Sequence, residues 1–461
     1  MLYKTESELI DKAKEAEGKT FGQIDIYDRL SNRNSKGGLG QVIEESFFGY
    51  KINSDARPDF EDLGVELKVT PFKKNKNGSL SAKERLVLNI INYMEEVKTT
   101  FNTSSFWDKN QKLLLMFYEW VPEVNRNDYY IHKSILYTFP EADLEIIKND
   151  WETILNKIKS GRAHELSEGD TIYLGACTKG SNKSSLRTQP YSEIPAMQRA
   201  YSLKQSYMTA LVRKHINNEN LISFANAKEL KKKSFQELLS EKFSSYIGLT
   251  DKEIAQKIDI KYNKRSKSFI PQIISALLEI KGTKLDNIEE FAKANIQFKT
   301  VRLEPNGIPK ESMSFENIDF NKWTNECWEE SYLRNRFFET KFLLVVFQYK
   351  ESEKENANRE LFFKGIKLWS MPEQIIETKL KELWNEINNL IDNGLKIEYV
   401  QRGDKIVEKN NFPKSSFNGV THVRPKGKNG QDKVLLPNGQ KITKQCYWLN
   451  NTYIAEIVKY L

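Results

Sequence analysis

The sequence predicts an α/β protein, a mixed sheet flanked by helices, built twice in tandem. Three observations carry this. The apolar runs Leu113–Tyr118 and Phe342–Phe347 have the length of buried strands. Helical patterns of ordinary length are interspersed with strands. Five short motifs also recur in the same order in the two halves. Trp151-Glu152-Thr153-Ile154, Gly161 and Gly169-Asp170 are matched by Trp384-Asn385-Glu386-Ile387, Gly394 and Gly403-Asp404. The two apolar runs correspond, and Lys179-Gly180-Ser181-Asn182 corresponds to Lys426-Gly427-Lys428-Asn429. Tyr201, Leu203 and Tyr207 recur as Tyr447, Leu449 and Tyr453. One copy is assigned to residues 1–220 and the other to 235–461, joined near the charged stretch Lys228–Lys233.

Within the first copy each element has a local reason. Thr5-Glu6-Ser7-Glu8 is a capping box opening an amphipathic helix over 5–17, not a signal peptide. A glycine-rich entry leads to a helix over 37–48. Val65–Val69 reads as a strand, 73–83 as a charged loop, and 86–93 as helix or strand. The buried strand at 113–118 follows, then a strand near 135–139 and a helix across 143–159.

Composition narrows the function classes. The 461 residues hold 71 Lys and Arg against 63 Asp and Glu, a net charge of +8 that fits an ordinary basic surface as well as a polyanion partner. Residues 172–214 are more pointed. Seven basic residues there face one acid, Glu193, with tyrosines 173, 191, 201 and 207 interleaved, a pattern suited to phosphate and base contacts. No apolar run approaches the roughly 18 residues of a membrane span. Three scattered cysteines fit a reducing cytoplasm, not a disulfide framework. The four histidines lack metal-ligand spacing. No glycine-rich phosphate loop occurs, so ATP use is not expected.

The chemical centre is Pro58-Asp59-Phe60-Glu61-Asp62-Leu63-Gly64-Val65-Glu66-Leu67-Lys68-Val69. In a strand Glu66 and Lys68 project together while Val65, Leu67 and Val69 face the other way. Asp59, at the strand's entrance, can turn to the same side. Two carboxylates and an ammonium converging there suit a hard divalent cation and phosphodiester chemistry. The bare Glu-x-Lys pattern is common, occurring also at 96–98, 279–281 and 377–379, where solvated helix positions explain it.

Here the chain resembles a known family. Pro58-Asp59-Phe60 with Gly64-Val65-Glu66-Leu67-Lys68 is similar to the active-site signature of the MutH mismatch-repair nuclease. With Thr70–Lys74, Lys83–Tyr93, His164–Gly169 and the Cys177–Arg187 loop, the likeness is greater still to the related restriction endonucleases that cut at GATC, and it covers nearly the whole chain. The resemblance implies a PD-(D/E)xK nuclease, two tandem copies of a MutH-like fold, Mg²⁺ as cofactor and double-stranded GATC DNA as substrate. It places the metal-binding acids on Asp59 and Glu66, a further ligand on the Leu67 carbonyl, and the catalytic lysine on Lys68. It adds Glu44, on the preceding helix, and Lys109, just before the apolar strand. Read locally, Glu44 is equally a solvated helix carboxylate and Lys109 a loop lysine.

The DNA-reading side falls on Lys179, Lys183, Arg187, Tyr201, Lys204 and Tyr207. A lysine here can donate to guanine in the major groove, while the other basic groups hold phosphates. The MutH loop carries Arg-Pro-Lys where this chain has Cys177-Thr178-Lys179. Arg-Pro-Lys stands instead in the second copy, as Arg424-Pro425-Lys426. In that copy Ser275 stands for Glu44 and Gln297 for Glu66. The second copy is therefore expected to be catalytically dead. Either it binds a second DNA site through Arg424, Lys426, Lys428, Lys433, Tyr447 and Trp448 and biases the first copy, or it is a scaffold. Three roles follow: a restriction endonuclease, a GATC-nicking nuclease of mismatch repair, or a non-catalytic DNA-binding regulator. One catalytic copy per chain needs a dimer on DNA, or successive nicks, to cut both strands.

Overall fold

The computed structural model describes the chain except for residues 1–2, 32–37, 52–56, 180–184, 264–265, 267, 281–284 and 404. The motif residues Gly180, Ser181, Asn182 and Asp404 and the candidate Lys183 lie outside the described residues. The chain forms two compact units. Unit 1 takes Met1–Leu238 with Thr283–Asn295, and unit 2 takes Leu239–Gly282 with Ile296–Leu461. The charged stretch near 228–233 begins in a short helix, Ala227–Leu230, capped by Asn226.

Unit 1 carries β1 (Glu66–Lys74), β2 (Leu80–Ala82), β3 (Leu86–Ile90), β4 (Lys112–Glu119) and β5 (Ile131–Thr138). After the helix Glu141–Lys159 come β6 (Leu174–Thr178), β7 (Leu186–Gln189), β8 (Ser192–Met197) and β9 (Arg199–Leu203). The main sheet has the order β2-β1-β4-β5, with β1 and β4 parallel and the other pairs antiparallel. It is the mixed sheet expected. A second sheet, β3-β9-β6, is antiparallel, and β7 with β8 forms a hairpin. Leu113–Phe117 are all buried, as a central strand covered on both faces requires. The Lys73–Lys83 stretch is not a simple loop: β1 runs on to Lys74 and turns back through Gly78 into β2. The helix expected across 37–48 is α-helical over Gly38–Gln41 and π-helical over Val42–Phe47.

Unit 2 carries β10 (Ile296–Leu303), β11 (Met313–Asn317), β12 (Lys341–Tyr349), β13 (Leu361–Trp369), β14 (Ile397–Arg402) and β15 (Lys405–Asn410). β16 (Thr421–Pro425), β17 (Lys433–Leu435), β18 (Lys441–Thr443) and β19 (Gln445–Leu449) follow. Register shows the duplication directly. Glu66 pairs with Leu113, which pairs with Tyr137; Gln297 pairs with Phe342, which pairs with Trp369. In the second sheets, Leu203 sits between Leu86 and Leu174 as Leu449 sits between Met313 and Thr421. Each unit has its own core, one around Leu9, Val42, Phe60 and Leu114, the other around Phe315, Phe342, Leu383 and Tyr447. No helix among the described residues is long and apolar enough to cross a membrane.

Candidate active site

Local folding brings Asp59 back over β1. After Phe60 the chain makes a 3-10 turn over Glu61–Leu63, and Gly64 closes it at φ 62°, a left-handed conformation that glycine adopts without a Cβ penalty. Phe60 and Val65 then exchange backbone hydrogen bonds of 2.9 and 3.3 Å. This folds the Asp59 carboxylate onto the strand, where its Oδ2 accepts from the Leu67 N–H at 2.9 Å. The Asp59 N–H donates to Glu66 Oε2 at 3.2 Å. Val65 and Leu67 enter the core, as the alternation predicts, and leave Glu66 and Lys68 on the other face.

Lys68 Nζ donates to Glu66 Oε1 at 2.7 Å, and Lys109 Nζ lies 3.6 Å from the same oxygen. Lys109 is not a loop lysine. It stands in the helix Ser105–Asn110, where Asn110 donates to Asn89 Oδ1 at 3.0 Å and Asn89 donates to Ser105 Oγ at 3.1 Å. Asn89 lies within the 83–93 stretch but has no motif of its own, so its role in holding the Lys109 helix was not legible.

Glu44 belongs to the same cluster. It sits in the π-helical turn, a distortion often found at functional sites. Burial pushes its carboxyl up to about 7, reinforced by the charges of Asp59 and Glu66 and opposed by Lys68 and Lys109. Glu44 is half-buried, not a fully solvated helix carboxylate. Asp59 is pushed up to about 6, first by burial and then by Glu66, against the pull of the Leu67 N–H and Lys68. Five separate positions, Glu44, Asp59, Glu66, Lys68 and Lys109, thus converge.

Among the described residues no group of three His, Cys, Asp or Glu side chains forms a ready cage for a metal. Mg²⁺ does not require one, since it keeps several waters and binds through one or two carboxylates. Asp59 and Glu66, crowded enough to raise Asp59, are a donor set of that kind. The residues fit the ion.

The DNA-reading candidates divide. Lys179 and Arg187 are exposed, Lys179 at the end of β6 with its N–H bonded to the Gln198 carbonyl at 2.7 Å. Tyr201, Lys204 and Tyr207 are buried and require correction. The Tyr201 hydroxyl donates to Glu96 at 2.8 Å, and Tyr207 donates to Asp143 at 2.7 Å. Lys204 Nζ donates inward to the carbonyls of Glu168 and Thr171 at 2.9 and 2.6 Å. Their pattern of aromatic and basic residues reflects a polar core, not a DNA-facing surface. In unit 2, Arg424, Lys426 and Lys428 are exposed, with the Arg424 guanidinium 5.0 Å over the half-buried Trp448 ring. Lys433 is held by Tyr399 at 2.8 Å and Glu408 at 3.1 Å. Tyr447 is buried on Glu316, so it too is corrected from DNA contact to core.

Comparison with known proteins decides the family. The chain is 40% identical to the type II restriction enzyme Sau3AI of Staphylococcus aureus over 99% of both chains. It belongs to the MutH-like type II restriction endonucleases. The family described as DNA mismatch repair enzyme MutH matches residues 48–150 and again 282–382, once in each copy. DNA mismatch repair protein MutH of Actinobacillus pleuropneumoniae is 31% identical over 191 residues, 40% of this chain and 80% of that protein. The Shewanella woodyi protein of the same description is 30% identical over 192 residues, again 40% of this chain. The first of the two matched spans includes the Asp59–Lys68 segment of unit 1.

Proposed function

We propose that this restriction endonuclease is Mg²⁺-dependent and hydrolyses both strands of double-stranded DNA at GATC. In this reading unit 1 does the chemistry, and unit 2 binds a second DNA site and acts on unit 1. The observation that carries it is the convergence of Glu44, Asp59, Glu66, Lys68 and Lys109 in unit 1. The replacement of Glu44 by Ser275 and Glu66 by Gln297 in unit 2 supports placing the chemistry in unit 1. Asp59, Glu66 and the Leu67 carbonyl would hold the ion. When bound, it stabilises charge developing on the phosphodiester and lowers the pKa of a coordinated water.

The chain's own residues do the rest. Lys68, tied to Glu66, presents a fixed ammonium that would orient the attacking water or offset charge in the transition state. Lys109 adds a second positive charge at the same carboxylate. Glu44, held near neutrality in its proton affinity, can take up or release a proton at working pH. Lys179 reads a guanine edge and Arg187 a phosphate. Three free cysteines, Cys177, Cys327 and Cys446, are consistent with work in the cytoplasm.

Because one chain holds one such site, a palindrome is cut by two chains or by successive nicks. The test is incubation of purified protein with Mg²⁺ and a GATC plasmid. Double-strand cuts support the proposal. Nicked circles alone would make it a nicking enzyme of the mismatch-repair kind, and bound but uncut DNA a regulator.

A further inference from the structure

We infer that the cleft of unit 2 corresponding to the catalytic site is itself a phosphodiester-binding site for the second DNA, built on Lys299 and Arg302 and needing no metal ion. The inference rests on the reading of unit 2 as a DNA-binding unit, and it says which part of the DNA that cleft takes.

Strand register defines the correspondence. Gln297 and Lys299 stand where Glu66 and Lys68 stand. The helix before β12 matches the helix before β4, because Ser331 caps it as Ser104 caps the other. Each serine hydroxyl donates three residues back, at 2.9 and 2.7 Å, and accepts from the N–H three residues on. Counting from those caps, Arg336 occupies the place of Lys109. The charge balance is reversed. Unit 1 has three carboxylates against two lysines. The centre beside Lys299 in unit 2 gathers Lys299, Arg336 and Lys426 around Glu316.

These cations are anchored on three successive residues of β11. Lys299 Nζ donates to the Ser314 carbonyl at 3.1 Å, and Lys426 Nζ donates to the Phe315 carbonyl. Arg336 pairs with the Glu316 carboxylate at 3.1 Å and also donates to Gln297 Oε1, at the strand position where unit 1 holds a metal-binding acid. The Tyr447 hydroxyl completes the shell of Glu316 at 2.8 Å. Burial, with Arg336 and Lys426 nearby, lowers the Lys299 ammonium's pKa, so an incoming anion would relieve the crowding. The Lys299 ammonium also lies 4.6 Å over the Phe315 ring.

The cleft beside this centre has room for a strand of DNA backbone: about 600 Å³, lined by Lys299, exposed Arg302, Ser312 and Ser314. Its other charged lining residues are largely neutralised in pairs, Arg359 by Glu304 and Lys310 by Glu353. Glu311 is the remaining acid on its wall. A carboxylate site needs a cation between itself and a phosphate. A lysine and arginine site binds the phosphate directly.

The experiment is equilibrium binding of a short GATC duplex to the full chain in EDTA, across a series of salt concentrations. Wild type is expected to bind, and Arg424→Ala to weaken that binding, which assigns it to unit 2. Lys299→Met is expected to bind more weakly, with a salt slope shallower by about 0.9, the change that follows when one phosphate is no longer neutralised. Lys299→Arg is expected to restore both. Arg302→Ala, at an exposed position where folding is not at stake, is expected to shift the slope likewise. Binding that responds to Arg424→Ala but is unchanged in affinity and slope by both Lys299→Met and Arg302→Ala overturns the phosphate site while leaving unit 2 a DNA binder. Binding at unit 2 that appears only when Ca²⁺ replaces EDTA overturns metal independence. Indifference to Arg424→Ala under both conditions defeats the effector reading itself.

Discussion

Two carboxyls with raised proton affinity matter most at the scale of single residues. Glu44, at about 7, and Asp59, at about 6, titrate higher in the fold than in an unfolded chain. Their neutral forms therefore favour the fold. That contribution is complete below about pH 4, near the unfolded carboxyl values, and is lost as pH rises through the folded ones. The metal-free protein should thus lose thermal stability between about pH 4 and pH 7, and Glu44→Gln should flatten that slope. Mg²⁺ should bind more tightly across the same interval, because the acids must give up protons to hold it. A metal-free melting temperature that ignores Glu44→Gln, or a Mg²⁺ half-saturation that ignores pH, would contradict the assignment. Lys179→Ala is expected to cost about 1–3 kcal/mol of discrimination between GATC and scrambled duplex. Equal weakening of both duplexes would make it a phosphate contact. Asp59, Glu66 and Lys68 were legible from alternation in a strand, and Glu44 and Lys109 only from resemblance, since nothing local separates them from solvated residues. Tyr201, Lys204 and Tyr207 misled because a buried polar network and a DNA-binding face draw on the same residue types.

At the scale of elements, β4 could be read from its apolar run and β1 from the alternation at 65–69, and their parallel pairing places the Asp59 loop and the Lys109 helix at one end of the sheet. The segments carrying the family resemblance meet in space: Arg85, beside β3, pairs with the buried Glu168 of the 164–169 motif. Such a motif is recognisable because it is structural as well as chemical. What could not be read was the helix Glu289–Ala294, which lies in the second half of the sequence but belongs to unit 1. Its Lys293 is buried, 2.6 Å from both Asp143 and Glu289, and Asp143 also accepts from Tyr207. A long-range pair of this kind leaves no local pattern. Lys293→Ala strands a buried carboxylate, and should destabilise unit 1 by about 3–5 kcal/mol in denaturant unfolding. A loss under about 1 kcal/mol would show the pair to be solvated, as surface pairs are.

For the whole molecule, the duplication was legible from five ordered motifs, and the register of both sheets repeats it. In unit 2 Ser275 and Gln297 stand for Glu44 and Glu66, and Arg336, in the place of Lys109, donates to Gln297 and pairs with Glu316. If unit 2 then reports a second DNA to unit 1, that DNA must favour unit 1's active state over its inactive one. Cleavage of a one-site plasmid should rise when short GATC duplex is added, and Arg424→Ala/Lys426→Ala should abolish the rise. Indifference of wild type to added duplex would reduce unit 2 to a scaffold. Such coupling requires that chemistry reside in unit 1 alone. The most direct test is cleavage by the full chain carrying Glu66→Ala, measured at saturating Mg²⁺ beside binding of the same GATC duplex. Binding should be retained, since removing a carboxylate lessens its repulsion of phosphate, with cleavage abolished although unit 2 is untouched. Cleavage above roughly a hundredth of the wild-type rate, a loss of less than about 2.7 kcal/mol of transition-state stabilisation, would contradict it and move the active site elsewhere.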